Sequence, residues 1–590
     1  MTPLHVVSSS GNHDYVVRLI DLGVSVDARD GGQRTPLHVA SFFGHQNVAL
    51  TLLDRGAHMD ARDDNQRTPL HMASQEGHQN VALTLLDRGA HMDARDDNQQ
   101  TPLHIASHND HQNVTLTLLD RGAHVDARDD NQRTPLHMAS QEGHQNVALT
   151  LLDRGAQVDA RIGNQTTPLH VASIFGHQNI VLTLLDRGAQ VDARALHLQT
   201  PLHLASFSGH QLVALTLLDR GAHVDVRDEN QQTPLHMASQ KGHQNVALTL
   251  LDRGAQVDAR NEEQWTPLQF ASSNDHQGVA ALLIDRGASV DARIQGFTPL
   301  HIATGMGYHD VALTLLVRGA QVDARDDEQK TPLHLASFLR HQNVVLALLD
   351  RGAQVDARDD NQQTPLHYAS HSGHRNVVIT LMDRGAQVDA KDCTQLTPLH
   401  LASLSGHQNV ALILLDRGAE IDARSAIQWT PLHIASQKGH QNVALVLLLR
   451  GAQVDSRDDN QQTPLHLAVH FGHKEVALLL IDRGASVEAQ DSQGRTPVQF
   501  ASDRGHKNLA VLMAERASAR DAKRSPSAQS SFQTVDKLDD KNGSADAGEG
   551  TQPAAQPSTA QQGNQDVVFV QAGHDATVKY LLDYMKKRKH

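Results

Sequence analysis

One Thr-Pro pair returns at a fixed interval along almost the whole chain, and this return restricts the fold more than any other feature. Its Thr stands at positions 2, 35, 68, 101, 134, 167, 200, 233, 266, 298, 331, 364, 397, 430, 463 and 496. Every step between these sixteen copies is 33 residues except that from Thr266 to Thr298, which is 32. The segment after Arg293, IQGF, is one residue shorter than its counterpart DDNQQ, and a tolerated deletion marks a surface turn. Self-similarity at such a period means stacked small units. Length alone, at 590 residues, would suggest about three to five globular domains. Aromatic residues are only 3% of the chain, too few to anchor large cores with rings that each bury about 150–250 Å². Thin layers lined by Leu and Ala are expected instead.

The unit from Thr68 to Gln100 shows what one layer must be. Thr68 is a favourable N-cap, and Pro69 follows at the first helical position, where a missing N–H costs nothing. This start predicts a helix of two turns, with Leu70, Met72 and Ala73 on its apolar side and Gly77 as the left-handed residue that ends it. A second apolar run, Val81 to Leu86, closes with Arg88, a cation near the helix C-terminus, and then Gly89. The segment AHMDARDDNQQ that follows is rich in Asp and Asn and fits a protruding β-turn. The predicted fold class is an all-α repeat solenoid: about 16 stacked helix-turn-helix units with protruding β-hairpin loops, over residues 1–519. Helices this short bury too little surface alone, so stability must come from neighbours. At about 8–10 Å between helices, the stack would be on the order of 150 Å long and curved.

The unit TPLHMASQEGHQNVALTLLDRGAHMDARDDNQQ resembles an ankyrin repeat. The likeness runs from Thr2 to about Ser518, with Thr-Pro-Leu-His in fourteen of sixteen units and Gly before the hairpin in fifteen. Departures are Gln269 and Gln499 in place of His, Arg340 where the first helix usually ends in Gly, and Gln, as at Gln66 and Gln99, where the hairpin Gly survives only as Gly296 and Gly494. A left-handed Gln costs on the order of 1 kcal/mol. The resemblance implies that hairpin tips and first-helix ends line a concave, partner-binding surface.

Other chemistry finds little support in the residues. The net charge of −15 disfavours binding to nucleic-acid backbones. A single Cys393 excludes an internal disulfide and fits a reducing, cytoplasmic setting. No signal peptide and no run of about 18 apolar residues is visible. Phosphate-loop, zinc-protease, nucleophile-elbow and dinucleotide motifs are all missing from the sequence, so neither catalysis nor a cofactor is expected. Of the 40 His, fourteen occupy the Thr-Pro-Leu-His position, where the ring can reach back to the cap, and fourteen follow the first helix, as do His45, His78 and His144. They are strung out along the chain, unlike about four ligands converging on zinc, so no metal is expected. His titrates near 6.5, and full protonation would move the charge from −15 to +25; acid sensitivity between pH 7.5 and 5.5 is expected. Asp93, Asp96 and Asp97 read as a solvated acidic ridge rather than as catalytic carboxylates.

Function in an array should sit where units differ. Six of eleven Phe lie at first-helix ends: Phe42, Phe43, Phe175, Phe207, Phe338 and Phe471. Ile174, Met306 and Leu339 share these positions, while Trp265, Phe297, Leu396 and Trp429 stand directly before a Thr-Pro. These thirteen residues are the candidate protein-binding set; packing between neighbouring units is the competing role, evenly weighed for the Phe group, with binding favoured for Trp265, Phe297 and Trp429. Beyond the array, residues 520–565 are Ser-, Gln-, Ala-, Pro- and Gly-rich and read as a disordered linker. In residues 566–590, Val578, Leu581, Leu582 and Met585 precede Lys586-Lys587-Arg588-Lys589, an amphipathic helix with a basic end suited to a partner, an anionic membrane or nuclear import. The expected function is a monomeric, non-catalytic scaffold or adaptor for protein partners, cytoplasmic with a nuclear alternative. The other class is the recognition arm of a larger signalling protein whose effector domain lies upstream of Met1, since the first unit lacks the hairpin that would precede it.

Overall fold

The computed structural model describes residues 1–524. They divide into two units, residues 1–294 with 317–320 and residues 295–316 with 321 onward, and the division falls beside the one-residue deletion. We number the repeats 1 to 16 by their Thr-Pro pairs. The first unit carries helix pairs from Pro3–Ser10 and His13–Asp21 to Pro267–Ser273 and Gln277–Asp285. The second begins with Pro299–Met306 and His309–Val317 and closes with Pro497–Asp503 and Lys507–Arg524. Within each unit a first helix lies on the first helices of adjacent repeats and on the second helix of its own.

Each helix starts and stops for a local reason. In repeat 3, Thr68 is extended (φ −97°, ψ 167°), Pro69 opens the helix Pro69–Gln75, and the side chains of Thr68 and His71 cap each other's backbone. Gly77, at φ 77°, then turns the chain. Here glycine is required twice over, because a Cβ would also lie 2.5 Å from Nδ1 of His111 in the next repeat. Where repeats 4, 9 and 11 depart, Asp110, Asp275 and Arg340 are themselves left-handed, at φ 61°, 61° and 67°. The second helix, Gln79–Asp87, buries Val81, Ala82 and Leu85 against Leu70 and Ala73, forming the thin Leu- and Ala-lined layer that few aromatics require. Burying each such Leu is worth about 1.5–3 kcal/mol.

The loops differ from the hairpins expected. Among the described residues there is no β-strand, only isolated bridge residues at Ile294 and Phe297. A tight turn does the work instead. Before repeat 3, Asp63 N–H donates to Arg67 C=O (3.0 Å), and Asp63 Oδ1 accepts from the N–H groups of Asn65 (3.0 Å) and Arg67 (2.8 Å). Gln66 in this turn is left-handed at φ 56° and so keeps the conformation of the Gly it replaces. The carboxylate inside the turn replaces a strand ladder as the element that closes it.

This geometry corrects the acidic-ridge reading. Asp96 is buried and accepts from the N–H groups of Asn98 (3.0 Å) and Gln100 (2.8 Å), and burial pushes its carboxyl above the ordinary range. Asp93 accepts from the N–H of His124 in the next repeat at 3.0 Å. Only Asp97 of the three is exposed. The final helix continues to Arg524, past the limit of 519 read from the sequence. The linker beyond 524 and the basic amphipathic segment 566–590 lie outside the described residues.

Candidate protein-binding surface

Any binding face must be held by something that does not vary, and here the histidines supply it. In repeat 4, His104 Nδ1 accepts from Thr101 N–H (3.2 Å) and from the Thr101 hydroxyl (2.9 Å), while Nε2–H donates to Arg133 C=O at 3.0 Å, 29 residues on. This set of partners fixes the neutral tautomer with its proton on Nε2. The second His of a repeat points the other way: His111 Nε2 reaches Gln75 C=O, 36 residues back, at 2.9 Å. Repeat 4 thus joins its neighbours by two imidazoles that reach in opposite directions. Parallel rows reinforce the joint. Arg95 Nη1 donates to Arg128 C=O (2.6 Å), and Arg88 pairs with Asp54 of the repeat before at 2.6 Å. Gln269, one of the departures, does the capping job without a ring: Oε1 accepts from Thr266 N–H (2.9 Å) and Nε2 donates to Ala292 C=O (3.0 Å).

Burial changes the acid chemistry expected of these rings. Desolvation lowers His38, His71, His104, His137, His170, His203, His236, His400 and His433 to about 4, and His334 to about 3, against a carbonyl hydrogen bond that acts in the opposite sense. The folded array therefore does not take up a proton on every His near 6.5, and the charge of +25 is not its charge at pH 5.5. Acid sensitivity remains the expectation for a different reason, since the unfolded chain binds the protons that the buried rings exclude. Among the described residues no three His, Cys, Asp or Glu side chains gather as metal ligands would. Nor is any described helix long and apolar enough to cross a membrane.

The candidate residues separate by position. Trp265 and Phe297, favoured as outer anchors, are each only 6% exposed. Trp265 lies 5.4 Å from the buried ring of Phe270, and Phe297 packs edge-on to His301 at 6.0 Å. Trp429 is half-buried, with Nε1–H donating to Asp458 at 3.0 Å, and Leu396 is half-buried as well. The reason lies in the position itself. The carbonyls of Trp265, Leu396 and Trp429 accept the His Nε2–H of the preceding repeat, at 3.0, 3.1 and 3.0 Å, which draws these residues into the joint, while Phe297 follows Gln269 and is held by its packing on His301. Gln232, Lys330 and Gln363 are buried at the same position. Aromatic size there thickens the stack.

First-helix ends are different. Counting from the Thr of each Thr-Pro pair, the seventh residue meets the eighth of the next repeat, as in His371 with Ser405 (3.0 Å) and Lys241 over the Phe207 ring (4.4 Å). At the seventh place Phe42 and Phe338 are half-buried, Phe338 packing edge-on to Tyr368, while Ile174 and Phe207 are exposed. At the eighth place Phe43 (49%), Phe175 (52%) and Phe471 are exposed, and Met306 and Leu339 are half-buried. Repeats 6 and 7 therefore carry three exposed apolar side chains at their adjacent first-helix ends, Ile174, Phe175 and Phe207.

Two residues of repeats 6 and 7 were not in the candidate set. Leu196 and Leu198 stand exposed at the hairpin tip before repeat 7, in the segment ALHLQ that replaces DDNQ-type tips. His197 and Leu198 are both left-handed, at φ 58°, which is an outlier for a bulky residue. The signal was present in the sequence, since two apolar residues in a row of Asp, Asn and Gln depart from the period as plainly as any Phe.

A stack of helix-turn-helix units joined by side chains to neighbouring main chain is a repeat protein. The family description ankyrin repeats (3 copies) matches segments running from residues 1–63 to 432–524, and ankyrin repeats (many copies) matches 52–106. The chain belongs to the ankyrin-repeat family, whose arrays are in general protein-interaction scaffolds and typically non-catalytic. No curated protein matches it.

Proposed function

We propose that this chain is a non-catalytic scaffold or adaptor, cytoplasmic and monomeric, that holds protein partners along first-helix ends and hairpin tips. The observation that carries the reading is selective exposure: Phe43, Phe175, Phe207 and Phe471 present large apolar rings to solvent at positions where repeats 3, 5 and 8 carry Gln, Glu or Lys. Rings of this kind are favoured anchors of interfaces. Packing does not explain them, since the eighth-position rings remain about half exposed.

The test is proximity labelling in the source cell with the full chain, beside the same chain carrying Phe43→Glu, Phe175→Glu, Phe207→Gln and Phe471→Ser. Circular dichroism must first show the two equally helical. Partners labelled by the parent and missed by the variant are expected; an unchanged set of labelled proteins would remove this face as the binding surface.

A further inference from the structure

Main-chain bonds link hairpin tips of adjacent repeats, Asp130 N–H to Asn98 C=O (3.1 Å), Leu196 N–H to Asn164 C=O (2.8 Å), Glu229 N–H to His197 C=O (2.9 Å) and Glu262 N–H to Asn230 C=O (3.0 Å), so equivalent tip positions follow one another in a row. Read along one position of that row, the residues are Asp64, Asp97, Asp130, Gly163, Leu196, Glu229 and Glu262. An acidic line is thus interrupted over repeats 6 and 7 by a tip without charge and a tip that is apolar. The same two repeats carry the exposed Ile174, Phe175 and Phe207. Between tip and helix end, Val171 and Leu204 are half-buried, and the spacings 171, 174, 175 and 204, 207 place them on the same helix faces as those residues. In repeat 7 the tip residue Leu198 and the helix residues Leu204 and Phe207 are thus all apolar and at least partly exposed.

The charges around these residues are unequal in their engagement. Arg133 pairs with Asp129 at 2.9 Å, Arg161 and Arg194 donate to main-chain carbonyls of the next repeat (3.0 and 3.1 Å), and Lys241 lies over the Phe207 ring. Glu229 faces His197 at 2.7 Å, and Glu142 accepts from Gln141 at 2.8 Å. Asp130 and Glu262, one at each side of the window, are exposed to solvent. Resting on the scaffold reading above, we infer that repeats 6 and 7 anchor a polypeptide segment of a separate partner with a short apolar run flanked on both sides by basic residues. Its apolar side chains cover Leu196, Leu198, Ile174, Phe175 and Phe207; its flanking cations lie toward the acidic tips on either side. Charge of opposite sign on the two surfaces steers encounter and fixes register.

The test uses the full chain and a fluorescent peptide with a central Leu-Phe-Leu-Phe, Ser spacers and two Lys at each end. The variant combines Ile174→Gln, Phe175→Asn, Leu196→Ser, Leu198→Gln and Phe207→Gln, each residue already present at the same position elsewhere in the array, as Gln75, Asn109, Ser492, Gln66 and Gln141, so the fold is preserved. Anisotropy should show at least tenfold weaker binding to the variant, and at least tenfold weaker binding of a peptide with Glu in place of Lys. Equal affinity for either control overturns the proposal. A random 12-residue display library selected on the parent separates the two readings: binders that the variant retains overturn the anchor in repeats 6 and 7 while leaving the scaffold intact, and a library that yields none overturns both. The full chain with Lys586, Lys587, Arg588 and Lys589 changed to Gln should bind the Lys-flanked peptide no more tightly than the parent; tighter binding makes the chain's own C-terminal stretch the occupant and overturns the separate partner.

Discussion

The turn before repeat 3 and the turn before repeat 7 occupy equivalent places, yet they are built differently. In the first, Asp63 caps the turn with two N–H groups and pairs with Arg67 at 3.0 Å. In the second, Ala195 stands where Asp63 would, no carboxylate caps the turn, and two successive residues are left-handed. What they share is the imidazole that enters from the preceding repeat: His38 Nε2 to Arg67 C=O at 3.0 Å, and His170 Nε2 to Gln199 C=O at 3.2 Å. The tip is free to change because the joint does not depend on it. The tip can vary, at some cost in its own turn, without disturbing the atoms that join the repeats.

Acid should break both joints alike, and this is the largest effect expected. In the unfolded chain His binds a proton below about 6.5, whereas ten of the buried rings remain neutral until about 4 or lower. Between those limits the unfolded state holds more protons, so stability falls as pH drops from 6.5 toward 4. Each ring contributes about 1.4 kcal/mol of loss per pH unit in that window. Urea unfolding at pH 7.5 and 5.5 should show a clearly lower midpoint at 5.5. Equal midpoints would sink the argument, and amide exchange that opened repeat 3 but not repeat 7 would show that the two turns differ at the joint after all.

Removing one ring comes next. His104→Ala leaves Arg133 C=O and Thr101 N–H without their partner in a buried joint and should cost about 3 kcal/mol. His104→Gln should cost far less, because Gln269 already performs the cap, and it should remove that repeat's acid response. Urea midpoints at both pH values read the difference; equal losses for Ala and Gln would show that a Gln at this position does not take over the hydrogen bonds of the imidazole.

The turn itself gives a smaller effect. Asp63→Ala imitates repeat 7 in repeat 3 and should cost about 2 kcal/mol, while Ala195→Asp should return about 1 kcal/mol to repeat 7. A loss in one and no gain in the other, read by amide exchange, would show that the left-handed His197 and Leu198 prevent the carboxylate from capping. Smallest of all, Arg340→Gly should stabilise repeat 11 by about 1 kcal/mol by relieving a left-handed non-glycine. An unchanged urea midpoint would mean the Arg340 side chain makes contacts worth as much as the strain.

Most of the fold could be read from the residues because it is local: Thr and Pro start each first helix, Gly ends it, and the 33-residue period places the next copy. Whether the Gln residues that replace the hairpin Gly keep its left-handed conformation was left open by the sequence, and the structure shows that they do. What could not be read was anything set by the neighbour. His104 looked like a cap, and it is one, but its second bond goes to a carbonyl 29 residues away, which no local pattern marks. Trp265 and Phe297 were conspicuous by rarity, and rarity does not report that a position faces inward. Phe175 and Phe207 were equally rare and do face outward. Leu196 and Leu198 belong to a common residue type and so do not stand out by rarity, although their departure from the tip pattern carries the same signal.

The forward and backward imidazoles both end on main-chain carbonyls. A joint made this way asks little of its neighbour's side chains beyond the room that Gly77 leaves for His111, and otherwise only that a backbone arrive in register. Any repeat of full length can therefore stand beside any other, and copies can be gained, lost or shuffled as interchangeable parts. Recombination in whole periods costs such a chain little, so its length and its reading face can both be rewritten without redesigning how it is held together.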